Sequence, residues 1–534
     1  MPSKKKTSDI ENTSDKAAVK VASVELKTPK KRTKKADEIP AVVKDEYVKK
    51  KTVEKKDVAV KNKKKILFVA SEGVPFITTG GMGEVIGALP KQLARDSSYD
   101  VRIMIPLYST VSEKFKDRLS FVGKIYVDLG WRHQYCGIFT CVEDGVTYYF
   151  IDNEYYFKRS DCYGYLDDGE RFAYFCKAVV DAMLFVDFIP DVLHAHDWQA
   201  ALVPVYLKTV YSWRSEYSNI KCIFTIHNIE YQGKYSLAIL YEILDIPYEY
   251  KDILEYDGSI NLMKGAIVCA DAVTTVSPTY AKEIENDYFA HGLASIINLY
   301  KGKLSGILNG IDTQLYNPDE DSKIIASYTA ADTSGKLECK RHLQAMVNLP
   351  VNDELPVIAM ITRLVGHKGV DIVAAAMHEL MELPLQIVIL GKGDHEYELL
   401  FESMQERYPE KLAARIMFNQ DYARQIYAGA DMFLMPSRSE PCGLSQIIAS
   451  RYGTVAVVRE TGGLKDTIQP YNADEGIGFT FYDYTAENVA DALRRACAVY
   501  KDKEQWAKLM KRAMEKDMSW ETSAQSYKEL YKKL

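Results

Sequence analysis

Two cations stand five residues apart in Thr362-Arg363-Leu364-Val365-Gly366-His367-Lys368-Gly369, directly after an apolar run. Such a pair can neutralise the charge that grows on a departing diphosphate, and fixed cations do so without reorganising during the reaction. Farther along, Pro436-Ser437-Arg438-Ser439-Glu440-Pro441-Cys442-Gly443-Leu444 follows another apolar run. Pro441 and Gly443 fix a turn, and Gly443-Leu444-Ser445 opens a helix. Glu440 is thereby expected near a helix N-terminus, where a carboxylate can accept hydrogen bonds from a sugar or balance an oxocarbenium-like charge. The same residue types also fit plain surface cations and a helix-start glutamate favoured by the dipole.

Three further stretches carry chemistry. Thr78-Thr79-Gly80-Gly81-Met82-Gly83-Glu84 lies between a strand pattern and a helix pattern. Glycines there let backbone N–H groups approach a phosphate at a helix N-terminus, although a tight turn alone would read the same way. Leu193-His194-Ala195-His196-Asp197-Trp198 follows a strand and opens a helix, with Asp197 suited to the N-cap. His194 and His196 share a face while the chain stays extended, and one of the pair fits a packed, hydrogen-bonded core histidine. No third ligand lies within sequence reach, so no metal site is expected. His227 and Asn228, with Tyr231 just after, end another strand where sugar hydroxyls could be read. Thr461-Gly462-Gly463-Leu464 is a second glycine turn suited to a phosphate.

Positioning these groups takes two open sheets. Short apolar runs at 66–70, 101–106, 147–151, 191–195, 221–226 and 272–276 alternate with helix-length segments, the pattern of a parallel sheet covered on both faces. The pattern restarts at 355–362 and continues at 386–390, 416–418, 432–435 and 454–458. A chain of 534 residues is too long for one core and suits two. Two doubly wound α/β domains facing each other form a cleft at the carboxyl ends of their strands, where ligands of such sheets bind. The expected organisation is a tail at 1–62, a first Rossmann-like domain at 63–310, a second at 311–505, and a final helix at 506–534 crossing back to the first.

Residues 1–65 carry 21 Lys and Arg against 10 Asp and Glu, a balance of +11, which leaves −17 on the rest of a chain whose formal charge is −6. Residues 1–62 hold no Trp, Phe or Gly and one Tyr. Such a segment cannot bury enough apolar surface to offset its chain entropy, so a disordered basic tail of unknown partner is expected. No apolar run reaches the length of a membrane span, and the first residues lack a signal-peptide core. Nine Cys without a CxxC pair read as reduced thiols, hence a cytoplasmic protein.

In this order, the pieces resemble the bacterial and plant type of glycogen and starch synthases, with a GT-B fold. The most specific stretch is PSRSEPCGLSQIIASRYGTVAVVRETGGLKDT, residues 436–467. Others are HAHDWQAAL from His194, FTIHNIEYQG from Phe224, NLMKGAIVCADAVTTVSPTYAKEI from Asn261 and GILNGIDTQLYNP from Gly306. The similarity runs from about Lys64 to the C-terminus.

The resemblance implies metal-free, cofactor-free transfer of glucose from ADP-glucose to an α-1,4-glucan such as glycogen or a malto-oligosaccharide, with retention of configuration. It assigns Arg363 and Lys368 to the diphosphate, Glu440 to the transferred glucose and His196 to the sugar's 6-position or ring. Gly80 and Gly81 would present backbone N–H groups to the donor. Phe418 would stack on adenine, and Thr461, Gly462 and Gly463 would cradle the phosphates. Asp167 matches an acidic position near the acceptor. His227, Asn228, Tyr231, Cys442, Gly443 and Leu444 join the binding set. One departure is Thr78, where the family has a phosphate-contacting lysine. Losing one charge-assisted contact costs about 1.5–3 kcal/mol, roughly ten- to a hundredfold in transition-state binding. The departure opens two alternatives, a UDP-glucose donor or a non-catalytic glucan-binding or initiation scaffold. The motifs around His194 and Pro436 disfavour sucrose- or trehalose-forming enzymes, and no pyridoxal-phosphate lysine site for a phosphorylase is evident. Removing residues 1–62 is expected to leave turnover on soluble glycogen intact; a large loss of rate would assign the tail a part in catalysis.

Overall fold

Ile66-Leu67-Phe68-Val69 is fully buried, which only an inner strand of a sheet covered on both faces allows. A computed structural model describes residues 63–534. The expected basic tail lies outside the described residues.

The first sheet comprises β1 (Lys64–Val69), β2 (Tyr99–Pro106), β3 (Ser120–Leu129), β4 (Arg132–Glu143), β5 (Val146–Asp152), β6 (Val192–His196), β7 (Lys221–Ile226), β8 (Ala272–Thr275) and β9 (Leu304–Gly306). Their order is β9-β8-β7-β6-β1-β2-β5-β4-β3. The strands from β9 to β5 run parallel; β4 and β3 add an antiparallel edge. β4 turns into β5 at Asp144-Gly145, both at positive φ, the pattern of a type I′ two-residue hairpin.

The second sheet comprises β10 (Val357–Ile361), β11 (Gln386–Leu390), β12 (Leu412–Arg415), β13 (Met432–Met435), β14 (Val455–Arg459) and β15 (Gly478–Phe481). Its order is β12-β11-β10-β13-β14-β15, all parallel. The strand expected at 416–418 is β12, which ends at Arg415; pairing of Ile387 with Leu412 through Leu390 with Arg415 sets its depth. The apolar run that prompted the expectation belongs to the loop leaving β12, and its Phe418 is 83% exposed.

The chain passes between the lobes twice, and the two passages pair. Ile311 N–H donates to Met518 O at 3.0 Å, and Ile311 bridges Ser519. The helix Lys503–Glu515 packs Trp506 and Leu509 into the second lobe's core, so the return to the first lobe comes at 518–520. Beyond it, Trp520, Ala524, Tyr527 and Tyr531 form one helical stripe buried in the first lobe's core. No helix among the described residues is long and apolar enough to cross a membrane.

Candidate functional site

Glu440 and Lys368 meet because two loops leave adjacent strands of the second sheet. β10 leads into the loop of Arg363 and Lys368, and β13 leads into the loop of Glu440. Gly369 sits at φ +79°, where a side chain's first carbon would lie 2.2 Å from Pro436 O, so the two loops can pack this closely only with glycine there. Arg438 N–H also donates to His367 O at 2.9 Å.

Lys368 Nζ donates to both oxygens of Glu440, at 2.9 and 2.8 Å. Ser437 Oγ donates to Glu440 Oε2 at 2.9 Å. The carboxylate is thus fixed in a buried position, with Glu440 6% exposed. An ammonium has three donors, so Lys368 keeps one for another partner. Arg363 is exposed and makes no side-chain hydrogen bond or ion pair among the described residues. His367 stands half-buried beside them; burial, then Lys368, holds its imidazole below the ordinary range. The loop therefore offers one free guanidinium and one ammonium shared with a carboxylate.

The first lobe supplies neutral groups. His194 and His196 are fully buried at the end of β6. His194 is committed on both nitrogens, to Tyr531 Oη at 3.0 Å and Thr225 Oγ1 at 2.6 Å. It is the structural member of the pair. His196 Nδ1 lies 2.9 Å from His227 Nε2, and its ring stacks on Phe68 at 5.5 Å. His196 Nε2 is buried and has no hydrogen-bond partner among the described residues. Burial holds His194 and His227 near pKa 3 and His196 well below its ordinary value, so all three are uncharged at neutral pH. A neutral imidazole suits a hydroxyl, not a phosphate. No group of three or more His, Cys, Asp or Glu among the described residues is placed to hold a metal.

The glycine loop opens the helix Gly81–Ala94, which has no side-chain cap. Gly80 and Gly81 have open space around them, so the first N–H groups of the helix remain accessible. Thr78 Oγ1 donates to Gly80 O at 3.1 Å, which folds the hydroxyl back onto the loop. Glu72, three residues beyond β1, accepts from Thr79 N–H and anchors the loop; burial raises its pKa to about 7. Nothing local in the sequence marks Glu72, since its partner is a backbone amide across a turn.

Other expected residues fall in different surroundings. Phe418 presents a nearly bare ring, as a stacking platform would. Tyr231 is 49% exposed, and Asn228 Oδ1 accepts from Glu230 N–H at 3.0 Å. Asp167 is paired with both terminal nitrogens of Arg159 and held below its ordinary pKa by that contact. Cys442 is buried, which pushes its thiol up to about 12 and makes it packing behind the Glu440 turn. Gly443 takes φ +73° there, and Leu444 leads into the helix Ser445–Arg451.

Thr461, Gly462 and Gly463 do not form an open phosphate cradle. Thr461 Oγ1 and Gly462 N–H both donate at 3.0 Å to Oε1 of Glu283, a first-lobe residue. Gly463 N–H donates to Glu440 O at 3.1 Å. Glu283 lies at the end of the stretch that begins at Asn261, but nothing local marks its contact, because its partners lie some 178 positions away.

The chain's similarities agree with this geometry. Residues 65–299 match the starch synthase catalytic domain family, and residues 344–513 match the glycosyl transferases group 1 family. The glycogen synthase of Bacillus cereus (strain Q1) is 49% identical over 473 residues, covering 88% of this chain and 99% of that protein. The glycogen synthase of Ligilactobacillus salivarius is 44% identical over 474 residues, covering 88% of this chain and 100% of that protein. Among solved structures, the catalytic domain of starch synthase IV from Arabidopsis thaliana, bound to ADP and acarbose, superposes with a TM-score of 0.82 at 32% identity, covering 88% of this chain and 99% of that one. A sucrose-phosphate synthase from Thermosynechococcus elongatus, at 16% identity and TM-score 0.57, shares the fold alone. With two parallel α/β lobes, a lysine-held glutamate at the strand ends of one and a relative 49% identical along nearly its whole length, the chain belongs to the glycogen and starch synthase family of GT-B glycosyltransferases.

Proposed function

We propose that this chain transfers glucose from ADP-glucose to the non-reducing end of an α-1,4-glucan, with retention of configuration. The observation that carries the reading is Lys368, which grips both oxygens of Glu440 beside the free guanidinium of Arg363. In this reading the donor diphosphate lies against Arg363, Lys368 and the open N–H groups at Gly80 and Gly81. The bond from glucose C1 to the diphosphate oxygen breaks, and a bond from C1 to the acceptor's 4-oxygen forms on the same face. The acceptor proton passes to the departing phosphate oxygen. Positive groups stabilise the leaving charge, and Glu440 balances the positive charge that develops on the sugar. Neutral His196, with Nε2 free, holds a sugar hydroxyl.

Adenine is favoured as the base by the bare ring of Phe418 and by the ADP named with the Arabidopsis neighbour. The neighbour's acarbose likewise supports a glucan acceptor. The nucleotide sugar is a substrate, and no cofactor enters the reading. Nine free cysteines fit a cytoplasmic setting.

The test is incorporation of labelled glucose into glycogen from ADP-glucose and UDP-glucose side by side, with Glu440→Ala as the blank. Label from ADP-glucose well above the blank is expected. Label from UDP-glucose alone would overturn the donor, and none from either would overturn the activity.

Thr78 is the weak point of the donor cradle. Thr78→Lys is expected to raise kcat/KM for ADP-glucose about tenfold, because it adds one charge-assisted contact to the diphosphate. Steady-state kinetics check this; an unchanged or lower value would show that the loop already meets the phosphate by other means.

A further inference from the structure

Two short helices, one from each lobe, hold each other's ends. Pro278–Glu283 follows β8 of the first lobe, and Gly462–Thr467 follows β14 of the second. The first N–H groups of any helix lack partners within it. Here each helix takes a partner from the other's last turn. Gly462 N–H and Thr461 Oγ1 donate to Glu283 Oε1, both at 3.0 Å. In return, Thr279 N–H and Oγ1 donate to the two oxygens of Asp466, at 2.8 and 2.6 Å.

The second-lobe end of this clasp lies against the back of the Glu440 turn. Gly462 sits at φ +44°, where a side chain's first carbon would lie 1.9 Å from Glu440 O. Gly463 N–H donates to Glu440 O at 3.1 Å and to Pro441 O at 3.2 Å. A first-lobe carboxylate therefore reaches the backbone of Glu440 through the two successive peptide N–H groups of Gly462 and Gly463. Lys368 and Ser437 aim the carboxylate of Glu440, whereas its main chain is fixed from behind.

We propose that Glu283 is a positioning residue for glucose transfer: it ties the turn that carries Glu440 to the lobe that carries His196. This rests on the role given to Glu440 above. The clasp keeps two groups of one reaction centre in register although they belong to separate lobes. A misplacement of about 1 Å in such a centre can cost about a hundredfold in rate.

The experiment compares full-length wild type, Glu283→Gln and Glu283→Ala. An amide oxygen can still accept from Thr461 and Gly462, whereas alanine cannot. Glu283→Ala is expected to lose about tenfold or more in kcat, with the donor KM and thermal midpoint little changed. Glu283→Gln is expected to recover most of that kcat. Small-angle X-ray scattering is expected to show a looser lobe arrangement for the alanine variant only.

Wild-type kcat in Glu283→Ala would overturn the proposal. So would a loss of kcat that tracks a fall in thermal midpoint equally in both variants, since that marks general stabilisation. If wild type itself transfers no glucose, the proposed activity falls, and the clasp stands or falls on the scattering comparison.

Discussion

Glu440→Ala is expected to lower glucose transfer to glycogen about a thousandfold, roughly 4 kcal/mol of transition-state stabilisation, while the protein stays folded. The size follows from the site's construction. Glu440 is buried, and three hydrogen bonds from Lys368 and Ser437 orient its two oxygens. A group held in this way needs no reorganisation as charge develops on the sugar. Removing it leaves a partly buried ammonium, 19% exposed, whose lost partner must be replaced by water, so the cost in stability is about 1–3 kcal/mol. Because the diphosphate is assigned to other groups, the donor KM is expected to change little. Turnover near wild type would remove Glu440 from the mechanism. A circular dichroism spectrum and thermal midpoint close to wild type establish that the loss is catalytic.

Lys368→Ala is expected to cost about a hundredfold or more in kcat/KM for the donor, with a raised donor KM. Two effects combine. The leaving diphosphate loses one of its two cations, and Glu440 loses two of its three hydrogen bonds. The rise in KM separates this variant from Glu440→Ala. A fall in kcat with unchanged donor KM would show that Lys368 only orients Glu440 and makes no contact with the donor. Ser437 keeps one bond to Glu440, so the carboxylate is weakened in its placement but not released.

Much of the fold was legible because buried parallel strands read as short apolar runs. Ile66–Val69 and the run before Arg363 announce the first strands of two sheets, and the cleft at the strand ends follows from parallel topology. The error at 416–418 shows the limit of that signal. Phe418 is as apolar as a core residue yet lies 83% exposed, because pairing with β11 ends the strand three positions earlier. Composition reports what a residue prefers, and register decides whether it is satisfied.

The sequence by itself determined the residue types at each strand end: Arg363, Lys368, Glu440, His196 and the glycine loop, each with the chemistry its side chain permits. It also determined the two-lobed architecture, since hydrophobic periodicity is a local property of the chain. Only the tertiary structure decided which of these groups are in contact. It paired Lys368 with Glu440, set His194 aside as core and left His196 Nε2 open. It also closed the Thr461–Gly463 turn with Glu283, a carboxylate from the other lobe. Hydrogen bonds between residues far apart in the chain depend on where two sheets place their loops in space, and no local pattern encodes that distance.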